Sequence, residues 1–161
     1  MADTQGSIEH TYRRYFALIR AKCTRVLGDT SEAEDVAQET FTRLWWHRHA
    51  IESEPRQIIA WIYRTATHLA IDQLRRRRGA PSELLEAPQL GSAEAKLGAR
   101  HELLQLARRL EPEELELAVL HRVDGLGQRE IAEVLRVSER TVRRLLERLD
   151  QRLASISEGA P

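Results

Sequence analysis

Arg140, Arg143, Arg144, Arg148 and Arg152 follow a break in apolar periodicity at Arg136-Val137 and recur at helical spacing. A helix starting there carries them on a common side. Guanidinium groups stay charged at every physiological pH and present forked donors that match phosphate oxygens and the major-groove edge of guanine. The chemistry on offer is therefore nucleic-acid binding. The alternative is an ordinary amphipathic helix in which Glu139, Glu147 and Asp150 pair those arginines.

A second constellation is Trp61, Arg64, Thr65, His68, Asp72 and Arg75, which share one stripe of a helix. Unpaired bases stack on aromatic rings while phosphates seek arginine, so this mixture suits single-stranded nucleic acid. Packing of Trp61 against a neighbouring helix is the competing explanation. A third is Asp35, Glu39, Thr42, Arg43 and Trp46, again on one helical face. A solvated acidic face is commonplace, but a tryptophan beside it is a large apolar group out of place, which suggests a protein partner.

Catalytic chemistry has no comparable support. There is no phosphate-binding glycine loop and no nucleophile with a recognisable base. His47 and His49 lie two apart and point to different faces of a helix, a poor geometry for a metal. Cys23, the only cysteine, is in register with Ile19 and Val26/Leu27, so a buried thiol is expected. No catalytic residue, cofactor or metal site is expected.

The elements that must position these groups follow from apolar periodicity. Ile8, Tyr12, Tyr15/Phe16, Ile19, Cys23 and Val26/Leu27 predict a first helix over 7–27, ended by Gly28. Thr30 or Ser31 is positioned to cap a second, with Glu34 completing a capping box from Ser31 and Val36, Ala37, Phe41, Leu44 and Trp45 buried. A break at Glu52 to Pro55 precedes a third helix over 56–78, with Ile58/Ile59, Ile62, Ala66, Leu69, Ala70 and Leu74 inward. Two prolines and two glycines between Gly79 and Ser92 read as a linker. Periodicity resumes near Ala93 with Leu97, Leu103/Leu104, Ala107 and Leu110, and Pro112 opens a further helix that Gly125 ends. Ile131, Ala132, Val134 and Leu135, the turn at Arg136-Val137, Ser138 as N-cap, and Val142, Leu145, Leu146, Leu149 and Leu153 then spell a helix-turn-helix. The expected fold is all-α: two small helical domains, 1–78 and 93–161, joined by a flexible linker at 79–92, the C-terminal one bearing the helix-turn-helix.

The chain of 161 residues carries 25 Lys plus Arg against 25 Asp plus Glu, for a formal net charge of zero. Distribution matters more than the sum. Acidic residues gather at Asp29 to Glu39 and Glu111 to Glu116, basic ones at Arg75 to Arg78 and Arg136 to Arg152. Local basic patches on a neutral chain touch DNA with modest total affinity, as befits a subunit working inside a larger DNA-binding machine. No run of about eighteen apolar residues could span a bilayer, and the opening MADTQGSIEH has neither the basic flank nor the apolar core of a signal peptide. A cytoplasmic location without membrane insertion is expected.

Three ordered motifs carry a family likeness. Ser31 to Phe41 is similar to the acidic signature of the extracytoplasmic-function sigma factors; Ala60 to Arg64, with Leu69 to Asp72 and the arginine run, resembles their next helix; and Asp124-Gly125-Leu126 with Glu130 to Leu135 resembles their helix-turn-helix. The likeness covers about Ser7 to Leu153. It implies a bacterial RNA polymerase sigma factor that directs core polymerase to specific promoters. Asp35, Gln38, Glu39 and Trp46 would then dock on core polymerase. Trp61, Arg64, Thr65, His68 and Arg75 would recognise and hold the melted −10 element. Arg136, Ser138, Arg140, Thr141, Arg143, Arg144 and Arg148 would read the −35 element. The implied partners are core RNA polymerase and promoter DNA, with an anti-sigma factor as a candidate third. The chain departs from the family at His68, usually asparagine, at Leu145, usually arginine, and at Arg136, usually glycine. The alternative from another class is a helix-turn-helix regulator that binds duplex DNA without polymerase.

Overall fold

A computed structural model describes residues 3–51, 54–76 and 93–159. Among these the chain is helical with no strand: α1 (Asp3–Leu27), α2 (Thr30–His47), α3 (Pro55–Arg76), α4 (Ala93–Arg109), α5 (Pro112–Ala118), a π-helical turn (Val119–Val123), α6 (Gln128–Leu135) and α7 (Glu139–Glu158). The linker at 79–92 lies outside the described residues.

Each boundary has a local cause. Gly28 takes φ +67 and so ends α1 in the left-handed region, where glycine has no Cβ to clash. The cap of α2 is neither Thr30 nor Ser31 but Asp29, whose carboxylate accepts from the Glu32 N–H at 2.8 Å. A carboxylate at the positive end of a helix is favoured by the dipole as well as by the hydrogen bond, which is why the acid one residue earlier prevails. Gly127 precedes α6, and Glu130 reaches back to accept from its N–H at 2.8 Å. Ser138 caps α7 as expected, its hydroxyl oxygen accepting from the Thr141 N–H at 3.1 Å.

Helices α1, α2 and α3 pack on one another through Ile19, Cys23, Val26, Leu27, Phe41, Leu44, Ile62, Ala66 and Leu74. Cys23 is buried there, and loss of hydration pushes its thiol up to about 11. In the C-terminal half, Leu115, Val119, Leu120, Ile131, Val142 and Leu149 make the interior of the helix-turn-helix. The two halves share one continuous core, since α3 also packs on α4, α5 and α6, and α1 touches the π-helical turn.

Several expected burials differ, Trp45 and Leu145 among them. Trp45 is exposed at the margin of α2, its ring covered by the Arg48 guanidinium at 4.3 Å from the centroid. Leu145 is only half-buried, whereas Leu146 and Leu149 are buried. The leucine stripe of α7 is wider than the surface it packs against, so its edge residue stays partly open.

Candidate functional site

The second helix of the helix-turn-helix presents Arg140, Arg143, Arg144 and Arg148 outward, all exposed, while Val142, Leu146 and Leu149 hold its other face in the core. Two acids near this face have other partners. Asp150 accepts from Arg122 at 3.2 Å, and Glu114 faces Arg152 at 3.9 Å. Among the described residues no ion pair holds Arg140, Arg143, Arg144 or Arg148. Their charges therefore remain available to an external anion, which excludes the self-paired helix considered from sequence. Ser138 and Thr141 share a hydroxyl contact of 2.9 Å, so both are tied to the helix start they stabilise. Arg136 holds φ 57, ψ 44 at the end of α6, keeping the left-handed backbone that glycine would adopt without strain.

On α3 the stripe read as open is partly covered. Glu116 of α5, with a side chain 5% exposed, accepts from Arg64 Nε at 2.9 Å, and His68 Nε2 lies 2.9 Å from the same oxygen. Burial alone would raise the Glu116 pKa; the hydrogen bonds from His68 and Arg64, reinforced by their charge, outweigh it and hold the carboxyl below its ordinary value. Arg75 donates to the Leu110 carbonyl at 3.3 Å. Thr65 is half-buried in the same stripe. Trp61 is half-buried as well, packed on the core with its ring centroid 6.0 Å from that of His47. The structure thus brings Trp61, Arg64, Thr65, His68 and Arg75 together on one face, and sets part of the C-terminal half against it.

A buried charge centre beside this face was not read from the sequence. Lys22 of α1 and Asp124, just after the π-helical turn, form an ion pair in which both side chains are 0% exposed. Arg25 adds a bond to Asp124 at 3.0 Å, and the Lys22 ammonium lies 4.2 Å from the centre of the Tyr63 ring. Burial pushes the Lys22 ammonium below its ordinary value against the pull of Asp124, and pushes the Tyr63 hydroxyl up. A signal existed: Lys22 lies three residues after Ile19 and four before Val26, and Glu116 follows the buried Leu115. Charges in a core register need partners, but periodicity does not say where those partners are.

Asp35, Gln38, Glu39 and Trp46 fall on one exposed stripe of α2, with Trp46 73% exposed. Among the described residues Glu39 pairs with its neighbour Arg43, at 2.8 Å. Gln38 and Thr42 also line a shallow groove between α1 and α2 whose apolar walls are Ile8, Tyr12, Phe41 and Trp45. An acidic rim beside exposed aromatics is a composition that protein partners cover. No group of His, Cys, Asp or Glu among the described residues could hold a metal ion, and no described helix is long and apolar enough to cross a membrane.

Comparison with known proteins matches residues 11–80 to the family model "Sigma-70 region 2" and residues 100–149 to "Sigma-70, region 4". The chain is 29% identical over 144 residues to the ECF RNA polymerase sigma factor SigW of Bacillus subtilis, covering 78% of this chain and 75% of that protein. It is 31% identical over 140 residues to the ECF RNA polymerase sigma factor SigE of Mycolicibacterium smegmatis, covering 80% of this chain and 53% of that protein. Similarity to SigL of Mycobacterium tuberculosis, 36% over 67 residues, spans 42% of this chain and 38% of the relative. Among solved structures, CnrH in complex with the cytosolic domain of CnrY is similar in fold, with a TM-score of 0.59 at 20% identity over 99% of this chain and 93% of that one.

Proposed function

Because the chain belongs to the sigma-70 family and is a sigma factor of the extracytoplasmic-function type, we propose that it binds core RNA polymerase in the cytoplasm, carries it to promoters and opens the −10 element. The domain division behind this reading is 1–78 for polymerase docking and −10 binding, 79–92 as linker, and 93–161 for the −35 element. In it, the acidic stripe of Asp35, Gln38 and Glu39 with Trp46 docks on polymerase, and the α3 face of Trp61, Arg64, Thr65, His68 and Arg75 takes the unpaired strand. Arg140, Arg143, Arg144 and Arg148 enter the major groove from α7, with Arg136, Ser138 and Thr141 at the turn beside the phosphates. The zero net charge fits a subunit whose nonspecific hold on DNA comes from polymerase. The activity is binding and strand separation, not bond chemistry. An anti-sigma factor is carried as the third partner, supported by CnrH, similar in fold, being in complex with the cytosolic domain of CnrY.

The observation that carries this reading is the set of arginines on α7 that no acid of the described residues neutralises. Its test is transcription by reconstituted holoenzyme from a library randomised over the −35 element. Arg144→Ala should relax the preference at one position by about 1–3 kcal/mol if the guanidinium grips a guanine. Uniform weakening would make it a phosphate contact, and unchanged output and preference would remove Arg144 from the recognition set.

A further inference from the structure

The second helix of the helix-turn-helix begins with an acid. Glu139 is the first residue of α7, exposed, between the Ser138 cap and Arg140. Ser138 is committed to the Thr141 N–H at 3.1 Å and to the Thr141 hydroxyl at 2.9 Å, so the helix start is closed without Glu139. Three other acids of the motif have internal partners: Glu130 accepts from the Gly127 N–H, Glu133 faces Arg129 at 3.6 Å, and Asp150 accepts from Arg122. Among the described residues no ion pair holds Glu139, not even one with Arg143, four residues on and on the same side of the helix. The helix dipole favours an acid at this position. The same position is also the leading tip of a helix that enters a major groove, where phosphates on either side repel a carboxylate. Resting on the assignment of α7 to the −35 element, we propose that Glu139 reads a cytosine there, its carboxylate accepting from the N4 amino group while Arg140 and Arg143 beside it take guanine or phosphate.

Base chemistry selects cytosine. Guanine offers the groove acceptors alone, thymine an acceptor and a methyl group, and adenine an amino donor beside the N7 acceptor, whereas cytosine offers a donor without a competing acceptor of its own. An ionised carboxylate has acceptors and no donor. The flanking guanidinium groups offset the phosphate repulsion that would otherwise keep the acid out of the groove. Glu139 then discriminates twice, by a bond gained on cytosine and by repulsion from the other bases, which is selection by exclusion. A role confined to the helix start carries no dependence on base. Glu147 supplies an internal comparison: it is exposed on the same helix, eight residues on and so about 12 Å farther along the axis from the tip.

The test is transcription by reconstituted holoenzyme from promoters randomised over the −35 element, with the parent, Glu139→Ala, Glu139→Gln and Glu147→Gln. The parent should favour cytosine at one position by about fivefold to tenfold, and Glu139→Ala should abolish that preference while keeping those at other positions. Glu139→Gln should move it to adenine, whose N6 and N7 match the acceptor and donor of a carboxamide. Glu147→Gln should keep the parent's profile. N4-methylcytosine at the same position should cost the parent the same factor, because pairing with guanine uses the remaining N–H and leaves the methyl group in the groove. That arm needs no variant, so it stands even where a substitution disturbs folding. A cytosine preference that survives Glu139→Ala, a parent that reads the −35 element without favouring cytosine anywhere in it, a parent indifferent to N4 methylation, or a uniform fall in output at every sequence overturns the inference. A parent whose output ignores the whole −35 element refutes instead the assignment of α7 on which the inference rests.

Discussion

Replacing Arg136 by glycine should stabilise the fold and weaken DNA binding at once. Arg136 sits at φ 57, ψ 44, with its N–H bonded to the Ala132 carbonyl at the end of α6. A left-handed backbone costs an L-residue about 1–2 kcal/mol, which glycine does not incur. The added freedom of glycine in the unfolded chain takes back about 0.5–1 kcal/mol, and loss of an exposed guanidinium costs a few tenths. The balance is a gain of about 0.5 kcal/mol, measurable as a shift of the urea midpoint at constant slope. On DNA the sign reverses. Losing one phosphate contact should reduce the slope of log K against log salt for holoenzyme on promoter DNA by about 0.9. A fall in stability would refute the backbone argument, and an unchanged salt slope would remove Arg136 from the DNA contacts. Opposite signs in the two assays would explain why an arginine is kept where glycine fits better.

Reversing charge at Asp35 and Glu39 should weaken binding to core polymerase in a fluorescence titration while moving unfolding stability by less than about 0.5 kcal/mol, since both are exposed and the Glu39–Arg43 pair is a surface one. Leu149→Ala should cost about 2–5 kcal/mol in urea and Leu145→Ala less than half as much, because only Leu149 is fully packed. Glu116 should make the fold acid-sensitive. Its carboxyl titrates below the ordinary 4.5, so its stabilisation is complete above that value and is lost as pH falls through the lower folded value. Denaturation midpoints followed down from neutral pH should therefore fall more steeply for the parent than for Glu116→Gln, and parallel curves would contradict the assignment.

Helix positions, the helix-turn-helix and its N-cap were legible because 3.6-residue periodicity and capping chemistry are local. The same locality explains the misses. Asp29 outcompeted Thr30 and Ser31 as cap through charge at the helix end, a margin that hydroxyl and carboxylate preferences alone do not separate. Leu145 belongs to the apolar stripe by spacing, but its burial depends on how wide a surface the rest of the fold offers α7. The α3 stripe was visible as a face; that Glu116, 48 residues beyond His68, would lie against it was not. Lys22 and Asp124 show the same limit more sharply, since a buried ion pair between α1 and the residue just after the π-helical turn is a long-range contact that no pattern in either segment specifies.

Mixing the purified chain with core RNA polymerase and following size-exclusion elution, then run-off transcription from a genomic fragment library, tests the central claim most directly. The account predicts that the chain co-elutes with polymerase and that a distinct set of transcripts starts only in its presence, while the chain alone holds duplex DNA weakly. A chain that ignores polymerase and binds duplex DNA tightly by itself would contradict it.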